Sequence, residues 1–200
     1  CRIAPPEIDL PSARVLPMSD APVRTLVETP DGTLGFQDYF VRLRCASVVK
    51  RLRFEGAEAA QPSPQVLAAL SDPALAGIII CPSNPWLSVD PILAVPGMRA
   101  AIRNAGVPAI AVTPIIAGAA VKGPTAKIMG ELGLAGDAVT IAQHYGALID
   151  AFVLDQRDAG LEQRFAGPVH LAQTLMQTLQ DKIALAQRCL DICKERGSRR

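Results

Sequence analysis

Ser83 and Asn84 sit between two prolines in Cys81-Pro82-Ser83-Asn84-Pro85, directly after the apolar run Ile78 to Ile80. Proline keeps such a loop out of regular pairing. A hydroxyl and a carboxamide there can close a turn on themselves, or hold a nucleotide or diphosphate together with the loop amides. The pattern alone leaves both readings open. Lys122 and Lys127 flank a second candidate, the helix start at Gly123-Pro124. Gly123 lets a ligand approach the backbone, Pro124 suits a first helical turn, and two lysines beside free amides would attract phosphate. The plainer alternative is two solvated surface lysines. Gly118 and Gly123 have the spacing of a Walker-type loop, but Pro124 stands where that loop requires lysine, so that chemistry is rejected. A third candidate is Met18-Ser19-Asp20, ahead of Pro22. Ser19 and Asp20 could contact ribose, base or a metal-bound water, or simply form a polar turn.

Other chemistry-bearing residues carry plainer readings. Arg24 could reach a phosphate but fits a sheet surface. Trp86, the single tryptophan, could stack on a flat heterocycle or form a lid packed on the core. His144 could act as a general base, but a histidine favoured by a helix C-terminus is the better reading. Cys189 and Cys193 stand one helical turn apart with no histidine close in sequence, which suits small core residues better than a metal site. His170 stands alone and is given no role.

The elements that must position these residues read as an alternation of strands and helices. Arg14–Leu16 and Val23–Glu28 are expected strands, with a hairpin joining Val23–Thr29 to Thr33–Phe36 across Asp31-Gly32. Phe36 to Arg44 has helical spacing, and Lys50–Phe54 reads as a strand. Ser63 should cap a helix beginning at Pro64. Ile78–Ile80 reads as a strand buried on both faces, followed by a helix capped by Ser88 or Asp90 with Pro91 first. Met98–Asn104 is a helix, Pro108–Val112 a second buried strand, and Pro124–Leu132 a helix ended by Gly133. A helix begins at Asp137 or Thr140 and ends at Gly146. Ala151–Leu154 and Val169–Leu171 are strands. Thr178–Arg196 is a long amphipathic helix with Ile183, Ala186, Leu190 and Cys193 on one side. The expected fold is α/β: a mostly parallel, open, Rossmann-like sheet with helices on both faces and a small hairpin-containing insertion near the N-terminus. Gly77–Cys81 and Pro108–Val112 should be adjacent or near-adjacent central strands, with the loops after them facing one crevice.

Composition bounds the function. With 200 residues, net charge +1 and half its residues hydrophobic, the chain has a globular profile without a disorder signature. One domain of this size can bury about 70% of its unfolded surface. Near-neutral charge and few aromatics argue against nucleic-acid binding. No apolar run approaches the ~20 residues of a membrane span, and no signal peptide is visible. Five scattered cysteines suggest reduced thiols and a cytoplasmic location.

Four ordered segments resemble the 2-phospho-L-lactate transferase family of coenzyme F420 biosynthesis. They are Leu16-Pro-Met-Ser-Asp-Ala-Pro-Val23; Phe36-Gln-Asp-Tyr-Phe40; Cys81-Pro-Ser-Asn-Pro85 with Ser88-Val-Asp-Pro-Ile-Leu-Ala-Val-Pro-Gly-Met98; and Val112-Thr-Pro-Ile-Ile116 leading into Lys122-Gly-Pro-Thr-Ala-Lys127. The likeness runs from about Arg14 to about Leu185, so residues 1–13 are left unassigned and 14–200 are read as the transferase domain. Ala172-Gln173-Thr174 departs from the family, whose members commonly show an acidic residue before the threonine.

The resemblance implies a phosphotransferase for substituted phosphate groups. A guanosine-diphosphate-activated phospholactate or phosphoenolpyruvate is the donor, a hydroxyl of the deazaflavin FO is the acceptor, GMP leaves, and Mg²⁺ is required. It implies substrate-binding roles for Ser83, Asn84, Lys122, Gly123, Lys127, Met18, Ser19 and Asp20. In the family a glycine-rich loop and the acidic metal ligands are expected before the Leu16 segment, so the chain is read as a truncated form whose own activity is open, with no metal ligand assigned within it. A homodimer is compatible with this reading. The alternative is a regulatory protein of the same fold that binds a nucleotide sugar without catalysis; Pro82-Ser83-Asn84-Pro85 favours the transferase.

Overall fold

The computed structural model describes residues 13–120 and 123–198. At its N-terminal end β1 (Arg24–Thr29) lies between β2 (Gly32–Gly35) and β3 (Arg51–Glu55), antiparallel to both. The expected hairpin forms, with Thr29 opposite Gly32 and Pro30-Asp31 as the turn. Thr29 Oγ1 donates to Gly32 O at 2.8 Å and accepts from Asp31 N at 3.2 Å, which closes the turn from one side chain. The expected strand at Arg14–Leu16 does not form. Pro17 has no N–H for a ladder, and the carbonyls of Pro17 and Met18 instead accept from the Ser63 hydroxyl and amide at 2.9 and 3.0 Å. The helical spacing after Phe36 becomes a π-helical turn, Asp38–Arg42, that buries Tyr39. Ser63 caps α1 (Pro64–Leu70), its Oγ accepting from Val66 N at 3.3 Å.

β4 (Ile78–Ile80) follows. The helix beyond it starts earlier than Ser88 or Asp90, because Asn84-Pro85 supplies both a cap and a first-turn proline. Asn84 Oδ1 accepts from Leu87 N at 3.1 Å. The π-helical turn Pro85–Val89 then runs into α2 (Asp90–Leu93). Pro96-Gly97 breaks the run before α3 (Met98–Asn104). β5 (Ala109–Val112) leads to a two-stranded hairpin absent from the sequence expectation, β6 (Ile115–Ile116) and β7 (Ala119–Ala120). Its turn puts Ala117 at φ 49°, a conformation unfavourable for alanine. The Ala117 amide donates to both carboxylate oxygens of Asp158, at 3.1 and 2.9 Å, which holds it there. α4 (Thr125–Glu131) and α5 (Ala138–Tyr145) follow, the latter capped by Asp137. β8 (Ala151–Asp155), a 3₁₀ segment at Gln156–Arg164, β9 (Val169–Ala172) and α6 (Leu179–Gly197) complete the order. Thr178 and Asp181 form a reciprocal capping box at the start of α6.

β4, β5, β8 and β9 make one parallel sheet in that order. Alternation along the strands sends Ile110, Val112, Ala151 and Val153 to one face, against Leu185, Cys189, Ile192 and Cys193 of α6. Ala111, Phe152 and Leu154 point to the other face, against Trp86, Val89, Leu93, Met129, Ile141 and Tyr145. Helices therefore cover both faces, as the fold class requires. α6 departs from expectation: its buried side is Leu185, Cys189, Ile192 and Cys193, while Ile183 and Leu190 are 53% and 47% exposed. The helix carries two apolar stripes, and the one that meets the sheet includes both cysteines. Gly77 permits the close approach, since a Cβ there would lie 2.6 Å from Cys193 Sγ. β4 and β5 are adjacent, as expected, but β4 is not central. It forms the edge of this sheet among the described residues, and its isoleucines are half-buried. Ile79 and Ile80 do pack into the cores on the two faces, so the apolar run answers to the layers above and below rather than to a neighbour on each side.

Candidate functional site

The carboxyl ends of β4, β5 and β9 open into one crevice of about 280 Å³, lined by Pro82, Ser83, Asn84, Thr113, Pro114, Thr174 and Met176. Parallel strands send their carboxyl ends to the same side, and the strand–loop–helix turns there place polar side chains around the opening. The expectation of one shared crevice therefore holds for the loops at Ser83-Asn84 and Thr113-Pro114.

Each polar residue of the crevice has a different amount of bonding left. Ser83 donates to Cys81 O at 3.3 Å, a turn contact. Thr113 is 1% exposed and locked on Ile115, donating to its carbonyl at 2.8 Å and accepting from its amide at 3.2 Å. Thr174 gives its hydroxyl to Asp155. Asn84 uses Oδ1 for the helix cap, but its Nδ2 is buried and has no hydrogen-bond partner among the described residues. A buried amide donor left unpaired costs free energy on the order of 1–3 kcal/mol. Asn84 is thus the crevice residue with a standing demand for an acceptor.

Behind Thr174 lies Asp155, fully buried at the end of β8. Burial pushes its carboxyl up, but hydrogen bonds from Arg157 N and from the amide and hydroxyl of Thr174, with the Arg157 charge nearby, hold it below the usual carboxylate value. It stays ionised and positions one wall of the crevice. Sequence reasoning gave Asp155 no role; its place at the end of a strand, with Thr174 after the next, was the available signal.

The other predicted site residues lie elsewhere. Lys127 does not line the crevice. Its Nζ donates to Ser47 O at 2.8 Å, pairs with Glu131 and stands 5.8 Å from the centre of the Tyr39 ring. It fastens α4 to the loop before β3. Gly123 has the positive φ of 70° that favours glycine, but is not among the crevice-lining residues. Lys122 lies outside the described residues. Met18 packs with Ala60, Val95 and Met98, Ser19 accepts from Ala21 N at 3.1 Å in a polar turn, and Asp20 is exposed. None of the three lines the crevice. Arg24 is an exposed sheet-surface residue facing Glu55. Trp86 is core, its ring centroid 5.0 Å from that of His144. His144 Nε2 lies 2.8 Å from Asp90 Oδ1, a tie between α5 and α2 that the sequence did not disclose. Cys189 and Cys193 are buried thiols, and burial pushes Cys189 up to about 11. Among the described residues no group of three or more His, Cys, Asp or Glu could hold a metal ion. The oxygens of Asp155 are already engaged by Thr174 and Arg157. The described residues therefore do not fit an Mg²⁺ site.

A layered α/β domain with a polar crevice at the carboxyl ends of parallel strands belongs to the class that binds ligands in that position. The chain belongs to the 2-phospho-L-lactate transferase CofD family, whose pattern matches residues 8–184. It is 40% identical over 194 residues to the phosphoenolpyruvate transferase of Streptomyces griseus subsp. griseus, covering 92% of this chain and 60% of that one. It is 37% identical over 178 residues to the 2-phospho-L-lactate transferase of Methanosarcina mazei, covering 88% and 57% respectively. The chain thus spans somewhat under two thirds of the length of these relatives. The fold is similar to that of a UPF0052 family member from Bacillus halodurans, with TM-score 0.57 at 16% identity, over 86% of this chain and 60% of that one. At that identity the likeness concerns the fold alone. No helix among the described residues is long and apolar enough to cross a membrane.

Proposed function

We propose that the crevice takes the diphosphate part of a guanosine-diphosphate-activated donor in a coenzyme F420 pathway transfer. The observation that carries this reading is the buried Nδ2 of Asn84 at the carboxyl end of β4, unpaired among the described residues. The reaction we propose is the one that the resemblance to the family implies. A hydroxyl oxygen of the deazaflavin FO attacks the phosphorus that bears the lactyl or enolpyruvyl group. The bond from that phosphorus to the GMP phosphate breaks, a phosphodiester forms, GMP leaves and the hydroxyl proton passes to solvent. Asn84 donates to a phosphate oxygen, the Ser83 hydroxyl turns from Cys81 O to a second oxygen, and Asp155 holds Thr174 as the opposite wall. Such chemistry is driven by positioning and charge neutralisation. Mg²⁺ enters this proposal through the family alone.

Calorimetry with GDP tests the reading. Asn84→Asp keeps an oxygen for the Leu87 cap but replaces the donor with a negative charge. Loss of GDP binding in a stably folded Asn84→Asp chain is expected, and unchanged affinity would overturn the assignment. A chain that bound a nucleotide sugar in the crevice, with no GMP release even when FO, donor and Mg²⁺ are supplied, would favour the regulatory alternative.

A further inference from the structure

α6 carries a second apolar stripe that does not face its own sheet. Leu179, Ile183, Ala186 and Leu190 follow one another at intervals of four, three and four residues. At about 100° per residue these side chains fall within an arc of about 60°, next to the arc that buries Leu185, Cys189, Ile192 and Cys193. Leu179 is 68% exposed, more than Ile183 or Leu190, and Ala186 is exposed as well. Leucine and isoleucine at this spacing form the seam by which one helix packs along another. Gln180, Gln187 and Lys194 border the stripe on one side and Lys182 on the other, all four exposed.

We infer that this stripe is an interface with a second copy of the chain, the two α6 helices packing antiparallel about a two-fold axis. A two-fold contact needs a surface that complements itself. With the axis between Ala186 and Gln187, Ile183 of one copy faces Leu190 of the other, and the same contact repeats on the far side of the axis. Ala186 beside the axis is small, which lets the two helices approach closely. The antiparallel arrangement also keeps like charges apart. The two Lys182 side chains lie at opposite ends, and each Lys194 comes beside Gln180 of the other copy. A parallel pair would instead set each lysine beside its own counterpart. α6 has 19 residues and is about 28 Å long. Two such helices side by side bury on the order of 1,000 Å² in total, the low end for a specific interface, so the dimer is weak and forms in the micromolar range. The seam begins three residues after Met176, which lines the crevice, so the crevice wall of each copy leads directly into the contact.

Sedimentation of the full chain from about 5 µM to about 500 µM, a range that brackets the affinity of so small an interface, tests this. A reversible monomer–dimer equilibrium is expected. Ile183→Glu and Leu190→Lys each change an exposed position, and each should weaken self-association at least about tenfold by setting a charge against an apolar partner. An equal mixture of the two variants should sediment as a dimer at concentrations where neither does alone, because antiparallel pairing brings Glu at 183 against Lys at 190 of the other chain and leaves an unaltered Leu190–Ile183 pair. Amide shifts that appear as the unaltered chain is concentrated should fall between Leu179 and Leu190, a readout that needs no variant to fold. A chain that stays monomeric throughout, concentration-dependent shifts confined to other residues, or a mixture that associates no better than its components would overturn the inference. So would protection of the Leu179–Leu190 face that does not change with concentration, which would assign its cover to another segment of the same chain.

Discussion

Thr174 gives both its backbone N–H and its hydroxyl to one oxygen of Asp155, at 2.9 and 2.8 Å. The other oxygen accepts from Arg157 N at 3.0 Å. One buried carboxylate thus joins the end of β8 to the segment after β9 and fixes one wall of the crevice.

Asp155→Asn is expected to destabilise the chain by about 2–3 kcal/mol, because an amide N–H must then face one of these donors in a buried place. The cost depends on pH with a definite sign. The folded carboxyl lies below its unfolded value, so its stabilisation is present above the unfolded value of about 3.9 and fades as pH falls through the folded value. Urea unfolding at pH 7 and pH 3 checks this; the gap between the two chains should narrow at the lower pH.

Asn84 carries a stability role and a binding role that substitution can separate. Asn84→Ala removes the cap on Leu87 N and should cost about 1 kcal/mol. Asn84→Asp keeps the cap acceptor but sets a carboxylate oxygen where the buried Nδ2 stood, so its loss of stability should shrink as pH falls and the carboxyl protonates, whereas the loss in Asn84→Ala should not depend on pH in this way. Thermal melts of both at pH 7 and pH 4 check this; equal pH dependence in the two would mean that the new carboxylate turns out to solvent.

Lys127 and Glu131 should matter for folding and not for nucleotide affinity. Glu131 Oε2 accepts from the amide of Val49, a residue with no exposed surface. Glu131→Ala leaves that amide buried and unpaired, at a cost of about 2 kcal/mol. Lys127→Met should cost about 1 kcal/mol, since it loses the bond to Ser47 O but keeps its stem over Tyr39. If Lys127→Met retained full stability and lost GDP binding, the lysine would be a phosphate ligand after all.

Gly77→Ala should destabilise by about 1–3 kcal/mol through overpacking. Its Cβ would stand 2.6 Å from Cys193 Sγ and 2.8 Å from Cys193 Cβ. Adding Cys193→Ala removes the sulfur but not the second contact, so rescue should be partial. Denaturant titration of the two single variants and the double variant measures it; full additivity of the two losses would mean the helix shifts instead of clashing.

Much of the fold was legible because local signals agreed with one another. Ser63-Pro64 marked a helix start, Ile78–Ile80 and Ala151–Leu154 read as short apolar strands, and glycine followed α4 and α5. α6 misled because it has two apolar stripes, and periodicity alone does not say which one meets the sheet. The edge position of β4 was hidden for a related reason: burial above and below produces the same apolar run as burial between two strands. In the crevice, Ser83 and Asn84 were visible as polar residues between prolines. The Asp155–Thr174 pair spans 19 residues and the Asp90–His144 pair spans 54, and no local rule connects residues that far apart. Lys127 was read as free, although Glu131 one helical turn later was the visible sign that it had a partner.

The cap at Leu87 has a consequence for how Asn84 would meet a ligand. A surface carboxamide turns about its last torsion, and binding must arrest that rotor. Here the bond from Leu87 N to Oδ1 selects one of the two amide orientations, because a half-turn would set N–H against N–H. The direction of Nδ2 is therefore fixed when the loop folds. An arriving acceptor finds a donor whose rotational entropy is already gone, and little of the binding free energy is diverted into ordering it.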